Sequence, residues 1–154
     1  MANGNASLAA ARVATPQVLV RGNQQDGEAR VFVSTYTVPA TLGPVVGENI
    51  SWGFLPMGAR LIPGSRLYFS AGAASSTLNL GDPAAPARYL PATAVTTAGN
   101  ALADAHLAGG ALAEVDVVAV GLVTDKSELR SVVAGAALQV GQVITLFALY
   151  AANN

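Results

Sequence analysis

The chain predicts an all-β fold: a jelly roll or β-sandwich-like single domain with at most one short helix and an extended N-terminal arm. Three observations carry this prediction. Short apolar runs alternate with period two and are rich in β-branched residues. Clusters of Gly, Pro, Asn and Asp punctuate those runs at near-regular spacing. The closing stretch from Ser131 to Asn154 holds no charged residue. A length of 154 residues suits one domain, divided here into an arm over 1–11 and a β-rich body over 12–154.

In chain order, residues 1–11 come first; they are small and polar and read as a flexible arm. Arg12–Val20 and Ala29–Val38 are apolar-rich and flank a spacer of turn formers, Arg21 to Glu28, so they predict a hairpin with a long polar loop. In the second run Val31, Val33, Thr35 and Thr37 lie on one side, and Arg30, Phe32, Ser34 and Tyr36 on the other. Pro39, Gly43, Pro44 and Gly47 mark a loop before the strand Ile50–Leu55, which carries Trp52 and Phe54 in an apolar setting that reads as buried. Pro56-Met57-Gly58 turns the chain into Ala59–Ser70, with Leu61, Leu67 and Phe69 directed inward. Pro63-Gly64 within that run implies a bulge or two short strands, since proline cannot donate to a ladder.

Ser76–Leu80 is a further short strand, and Gly81–Pro91 a proline-rich loop. Ala92–Ala108 is the helical candidate, favoured by alanine and weakened by Thr96, Thr97 and Gly99. Leu112–Val123 reads as a strand, Thr124–Ser127 as a charged turn, and Glu128–Leu138 as the next strand. A turn around Gly141 then leads into Val143–Tyr150. Both sides of that last strand are apolar, which predicts a strand covered on both faces, centrally in a sandwich or against a neighbouring subunit.

Composition narrows the function classes. Apolar residues make up 52% of the chain and charged ones 11%, less than half of the ~25% usual in a soluble domain. Alanine supplies 31 residues and valine 18, so the core is assembled from small pieces. With eight basic and nine acidic side chains the net charge is −1, and there is no basic excess of the kind nucleic-acid binding requires. On the ~7,000 Å² that a chain of this mass exposes, charges fall about one per 400 Å², against about one per 190 Å² for an ordinary domain. A surface so thinly charged favours association, which predicts a homo-oligomer or a subunit of something larger.

Cysteine is absent, so there is neither a disulfide nor a thiolate ligand. The start, MANGNASLAAARVATP, has no basic region before an apolar run, which argues against a secretory signal. The uncharged C-terminal stretch is interrupted by Gly135, Gln139, Gly141 and Gln142, and Val143–Ala152 is too short to cross a bilayer, so no membrane partner is expected. Two N-x-[ST] sequons, at Asn5 and Asn49, read as chance.

Signs of chemistry are few. His106 is the one histidine, and a single imidazole cannot build a multi-histidine metal site; it reads as a surface or helix-end residue. No nucleophile elbow, phosphate loop or H-E-x-x-H pattern occurs. Glu114 and Asp116 share a strand face at ~7 Å, between the carboxylate separations of retaining and inverting glycosidases, yet the chain lacks the aromatic cleft such enzymes use. A solvated strand face or a subunit salt bridge explains that pair more simply, and Asp125 with Glu128 reads as an ordinary charged turn. The sequence predicts no catalytic, metal or cofactor-binding residue and no enzyme.

The most distinctive string is Gly81-Asp82-Pro83-Ala84-Ala85-Pro86-Ala87-Arg88-Tyr89-Leu90-Pro91. Asp82 and the prolines fix a rigid loop, Arg88 is placed to pair with Asp82, and Tyr89 offers an apolar anchor. The string reads equally as a local staple or as an intersubunit contact, so Asp82, Arg88, Tyr89 and Trp52 are the candidate interface residues.

The order Leu55-Pro56-Met57-Gly58-Ala59-Arg60-Leu61-Ile62-Pro63-Gly64, Leu67-Tyr68-Phe69, Leu78-Asn79-Leu80-Gly81-Asp82 and Arg88-Tyr89-Leu90 resembles small structural proteins of tailed bacteriophages. In particular it is similar to capsid decoration (cement, head-stabilising) proteins. The resemblance spans residues 50–150 and rests on pattern, with no signature motif. It implies a mostly β protein, a trimer, that sits on the outer capsid of the virion after assembly in the host cytoplasm. There it would bridge neighbouring major capsid protein subunits against internal DNA pressure. The alternatives are a tail-tube or head-completion subunit, which would form rings, and a β-sandwich carbohydrate-binding module, which needs an exposed aromatic platform.

Overall fold

A computed structural model describes residues 29–152 apart from 42, 57, 110–116 and 121–122. The predicted arm, the Arg12–Val20 run, the Arg21–Glu28 spacer and the Glu114/Asp116 pair lie outside the described residues. The rest is two antiparallel sheets face to face. The first runs β1 (Ala29–Thr37), β10 (Val143–Ala151), β4 (Arg66–Phe69), β7 (Gly99–Leu102), with β3 (Arg60–Leu61) also on β10. The second runs β2 (Asn49–Pro56), β9 (Val123–Ala134), β5 (Thr77–Leu80), β6 (Leu90–Ala94), with β8 (Val117–Val120) also on β9. Mainly β, with one short 3-10 turn (Ala105–Gly109) as the helical element among the described residues, the fold is sandwich-like, as the alternation predicts.

The core lies between the sheets. Leu61, Leu67, Ile144, Leu146 and Ala148 from the first meet Ile50, Trp52, Leu78, Leu80, Leu129 and Val133 from the second, all buried. Leucine, isoleucine and valine dominate this set, so the core forms by ordinary apolar burial, at about 1.5–3 kcal/mol for each large side chain removed from water. Gln142 locks one end. Its side-chain Nε2–H groups donate to the carbonyls of Ser70 (3.1 Å) and Val95 (2.9 Å).

Three expectations are corrected. Thr124–Ser127 is not a turn: β9 runs unbroken from Val123 to Ala134, with Lys126 paired to Pro56 on one side and Val118 on the other. The reversal falls instead between Val120 and Val123, and β9 stops just before Gly135, whose φ of +74° suits glycine. Ala92–Ala108 is not a helix. Its backbone pairs as β6 with β5 and as β7 with β4, and these ladders outweigh alanine's helix preference of a few tenths of a kcal/mol per residue. Finally, Phe54 is 41% exposed, although Trp52 beside it is buried. A bulge between Ser51 and Gly53 (φ +136°) shifts the alternation, so Ile50, Trp52 and Leu55 point inward and Phe54 outward. Pro63-Gly64 resolves into two short strands, β3 and β4, one of the two predicted outcomes.

Candidate interaction surface

Two regions bear on interaction: the Gly81–Leu90 loop and the outer face of the first sheet. The loop leaves β5 at Gly81, which exchanges backbone hydrogen bonds with Arg130 of β9 (2.9 and 3.0 Å). A Cβ at Gly81 would lie 2.1 Å from the Ala85 carbonyl oxygen, so only glycine lets the loop fold back this tightly. Asp82 then organises the remainder of the loop. Its Oδ1 accepts the Ala85 N–H (2.9 Å), and its Oδ2 pairs with Arg88 Nη1 (2.8 Å) and accepts the Tyr89 hydroxyl proton (3.3 Å). Burial, with the Asp82 carboxylate adding to it, raises the Tyr89 hydroxyl well above its ordinary 10.0, so Tyr89 stays a donor.

The Tyr89 ring meets His106 edge-on, with centroids 5.0 Å apart, and His106 Nε2 lies 3.1 Å from the Leu61 carbonyl oxygen. The loop is thereby tied to the 3-10 turn and to β3. Asp82 and Tyr89 are fully buried and Arg88 is half-buried; the residues the loop presents to solvent are Ala84, Pro86 and Ala87.

Trp52 is apart from this cluster. It is 4% exposed, and its Nε1–H donates to Ser131 Oγ (2.8 Å) across the β2–β9 pair. Glu128, half of the predicted charged turn, is buried on β9. It accepts the Ser51 hydroxyl (2.7 Å) and pairs with Arg130. Among the described residues no three His, Asp or Glu side chains gather to hold a metal, and no helix is long and apolar enough to cross a membrane.

The outer face of the first sheet is a different kind of surface. Directly paired residues of an antiparallel ladder share a face, and the register sets Val31 opposite Leu149, Val33 opposite Phe147, Thr35 opposite Thr145, and Thr37 opposite Val143. These side chains are the half of β10 turned away from the core, with their partners on β1. Beyond them Tyr68 pairs with Thr145 and Asn100 with Tyr68. Two charged side chains lie on this face among the described residues: Arg66, whose Nη1 donates to Asn100 Oδ1 (2.6 Å), and Arg60 of β3, which the register sets opposite Ala151. An open depression of about 300 Å³ lies between Tyr68, Ser70, Gly99, Val143 and Thr145.

Val31, Val33 and Tyr68 are 55%, 57% and 44% exposed. Of the two coverings predicted for the last strand, the core supplies one side; on the other Val143 stays 40% exposed, while Ala151 is buried and Leu149 lies beside Gly64. Composition does not single this face out. Its signal is the two-sided apolar pattern of Val143–Tyr150 together with a β1 whose aromatic side, Phe32 and Tyr36, packs inward and leaves the valines out.

No protein-family model matches the sequence, and no curated protein matches it. Two solved structures do share its architecture. A chain of the Ralstonia phage GP4 capsid superposes with a TM-score of 0.62 at 20% identity, over 83% of this chain and 86% of that one. A chain of the cyanophage Pam1 capsid asymmetric unit gives a TM-score of 0.62 at 20% identity, over 98% of this chain and 99% of that one. The two-sheet fold of this protein is thus one also found in chains of two phage capsids.

Proposed function

We propose that the protein is a non-enzymatic structural component of a tailed-phage virion, a trimer that decorates the outer capsid and bridges neighbouring major capsid protein subunits. The observation that carries this reading is the end-to-end likeness to a chain of the Pam1 capsid, 98% of one against 99% of the other. The thin charge and small-residue surface support it independently, since both favour association over solubility as a monomer. In this reading 12–154 is the β body and the arm over 1–11 orders on the capsid. The Gly81–Leu90 loop, made rigid by Asp82, Arg88 and Tyr89, meets a capsid subunit through Ala84, Pro86 and Ala87, while Trp52 keeps the sandwich stiff behind it. No cofactor takes part.

Both neighbours come from structures described as capsids, which favours decoration over a tail-tube or head-completion role. The carbohydrate-binding alternative loses its best platform, because Trp52 is inside and its N–H is engaged. The test is co-sedimentation of the purified chain with emptied capsids of its own phage. Saturable binding and a rise in capsid melting temperature are expected, and deletion of 1–11 weakens binding without lowering the protein's own melting temperature. Absence of binding by the full chain contradicts the proposal.

A further inference from the structure

We infer that residues 12–20 lie antiparallel along the outer edge of β1, as the next strand of the first sheet, and so hand the arm over 1–11 to the end of the sandwich opposite the Gly81–Leu90 loop. The consequence rests on the function proposed above: one chain then holds two separate contacts on the capsid. The pairing itself does not depend on the capsid.

The register gives the direction. β1 starts at Ala29, opposite Ala151, and finishes at Thr37, opposite Val143. Ala151 also pairs with Arg60, and Tyr150 with Leu61. The Leu61 carbonyl oxygen lies against His106, on which Tyr89 of the loop packs. The chain therefore enters the sheet at the loop's end. The Thr37 end is the other one, where the Val38 N–H donates to the Gln142 carbonyl and the Val38 carbonyl accepts the Gly141 N–H, both at 2.9 Å. Nine residues at ~3.4 Å each set the two ends of β1 about 30 Å apart.

The occupant of the edge is argued from where the preceding chain joins. Among the described strands β1 is the outermost of its sheet, with β10 on its inner side. Its first residue follows directly on Arg21–Glu28, in which Gly22, Asn23, Asp26 and Gly27 suit a reversal of the chain. Strands consecutive in sequence are the ones that usually pair. A tether of eight residues also gives this segment a far higher effective concentration at the edge than a strand of another molecule has. Pro16 fixes the segment's place. It has no N–H for a ladder, so it fits a strand with one side unpaired, and there it discourages the addition of a further strand. Residues 12–20 match β1 in length, nine against nine, so Val20 beside Ala29 brings Ala14 beside Thr35 and Arg12 beside Thr37.

The absence of cysteine permits a direct test on the free protein. Ala14→Cys/Thr35→Cys and Ala14→Cys/Ala29→Cys are treated with a short bismaleimide at low protein concentration and read by denaturing electrophoresis, with circular dichroism as the check on folding. The first pair is expected to link within one chain roughly tenfold faster than the second, because Ala14 then lies beside Thr35 and about 20 Å from Ala29. Thr35→Cys removes the Thr35–Thr145 hydroxyl pair. Val18→Cys/Val31→Cys, with Val18→Cys/Thr37→Cys as its slow counterpart, covers the case in which that loss disturbs the sheet.

Equal rates, or faster linking of Ala14 to Ala29, overturn the pairing. Links that join two chains assign the edge to the segment of a second copy and overturn it as well. The linked Ala14–Thr35 protein is expected to bind emptied capsids as the unlinked one does, and loss of binding on linking overturns delivery of the arm from this end. Failure of the unlinked protein to bind contradicts the proposed function, while the linking rates still decide the pairing.

Discussion

The Gly81–Leu90 loop and the outer face of the first sheet handle their side chains in opposite ways. The loop is conspicuous in sequence, with an acid, a base, a tyrosine and prolines within ten residues, and it turns nearly all of that chemistry inward. Asp82 alone holds a backbone N–H, a guanidinium and a phenol. The outer face is a bland alternation of valine and threonine, and it leaves Val31 and Val33 more than half exposed. Conspicuous polar strings can therefore be internal staples, because a buried polar group must find its partners within the chain. An exposed apolar surface can be written in residues that attract no notice.

This contrast predicts large stability effects inside and small ones on the face. The largest is expected for Trp52→Ala, which opens a cavity beside Ile50 and Leu129 and leaves Ser131 without its donor; about 4 kcal/mol should be lost in urea unfolding. A loss below 1 kcal/mol would show that the indole is not part of the rigid core. Next is Asp82→Ala. It removes the common acceptor of Arg88, Tyr89 and Ala85, strands a buried phenol, and should cost about 3 kcal/mol by the same measurement. An Asp82→Ala protein as stable as wild type would mean that the loop makes its contribution through a partner and not through its own fold.

Tyr89→Phe tests the same cluster more gently, with a loss of about 1 kcal/mol at neutral pH. It also carries a pH signature. The folded hydroxyl titrates above its ordinary 10.0, the value expected in the unfolded chain, so its contribution is complete below pH 10.0 and is lost as the pH rises beyond it. Denaturation midpoints between pH 9 and 11 should fall more steeply for wild type than for Tyr89→Phe. Parallel slopes would contradict the buried donor. The smallest effect is expected for Val31→Thr on the outer face, within about 0.5 kcal/mol of wild type once midpoints are extrapolated to high dilution. A larger loss would mean that Val31 is held by its own chain.

Much of the fold was legible in the sequence, for reasons the structure makes plain. Period-two alternation located β1 and β10, and turn residues bracketed β2, β5 and the β3–β4 pair, because these signals are local. What could not be read was set by pairing at a distance. Lys126 stays extended because Pro56 and Val118 hold it from either side, and Ala101 is in a strand because Leu67 lies opposite. The bulge at Gly53 reverses the faces of Phe54 and Leu55, a one-residue shift that composition does not record. In the candidate site, the pairing of Arg88 with Asp82 was legible because the two are close in sequence. The burial of Tyr89 against His106 was not, since it depends on where the 3-10 turn docks. The exposed side of β1 was equally hidden, because alternation defines two faces without saying which meets the core.

Light scattering across a dilution series tests the proposed trimer most directly. A species near three times 15.4 kDa that persists on dilution is the predicted result. A mass of 15.4 kDa at every concentration would contradict it.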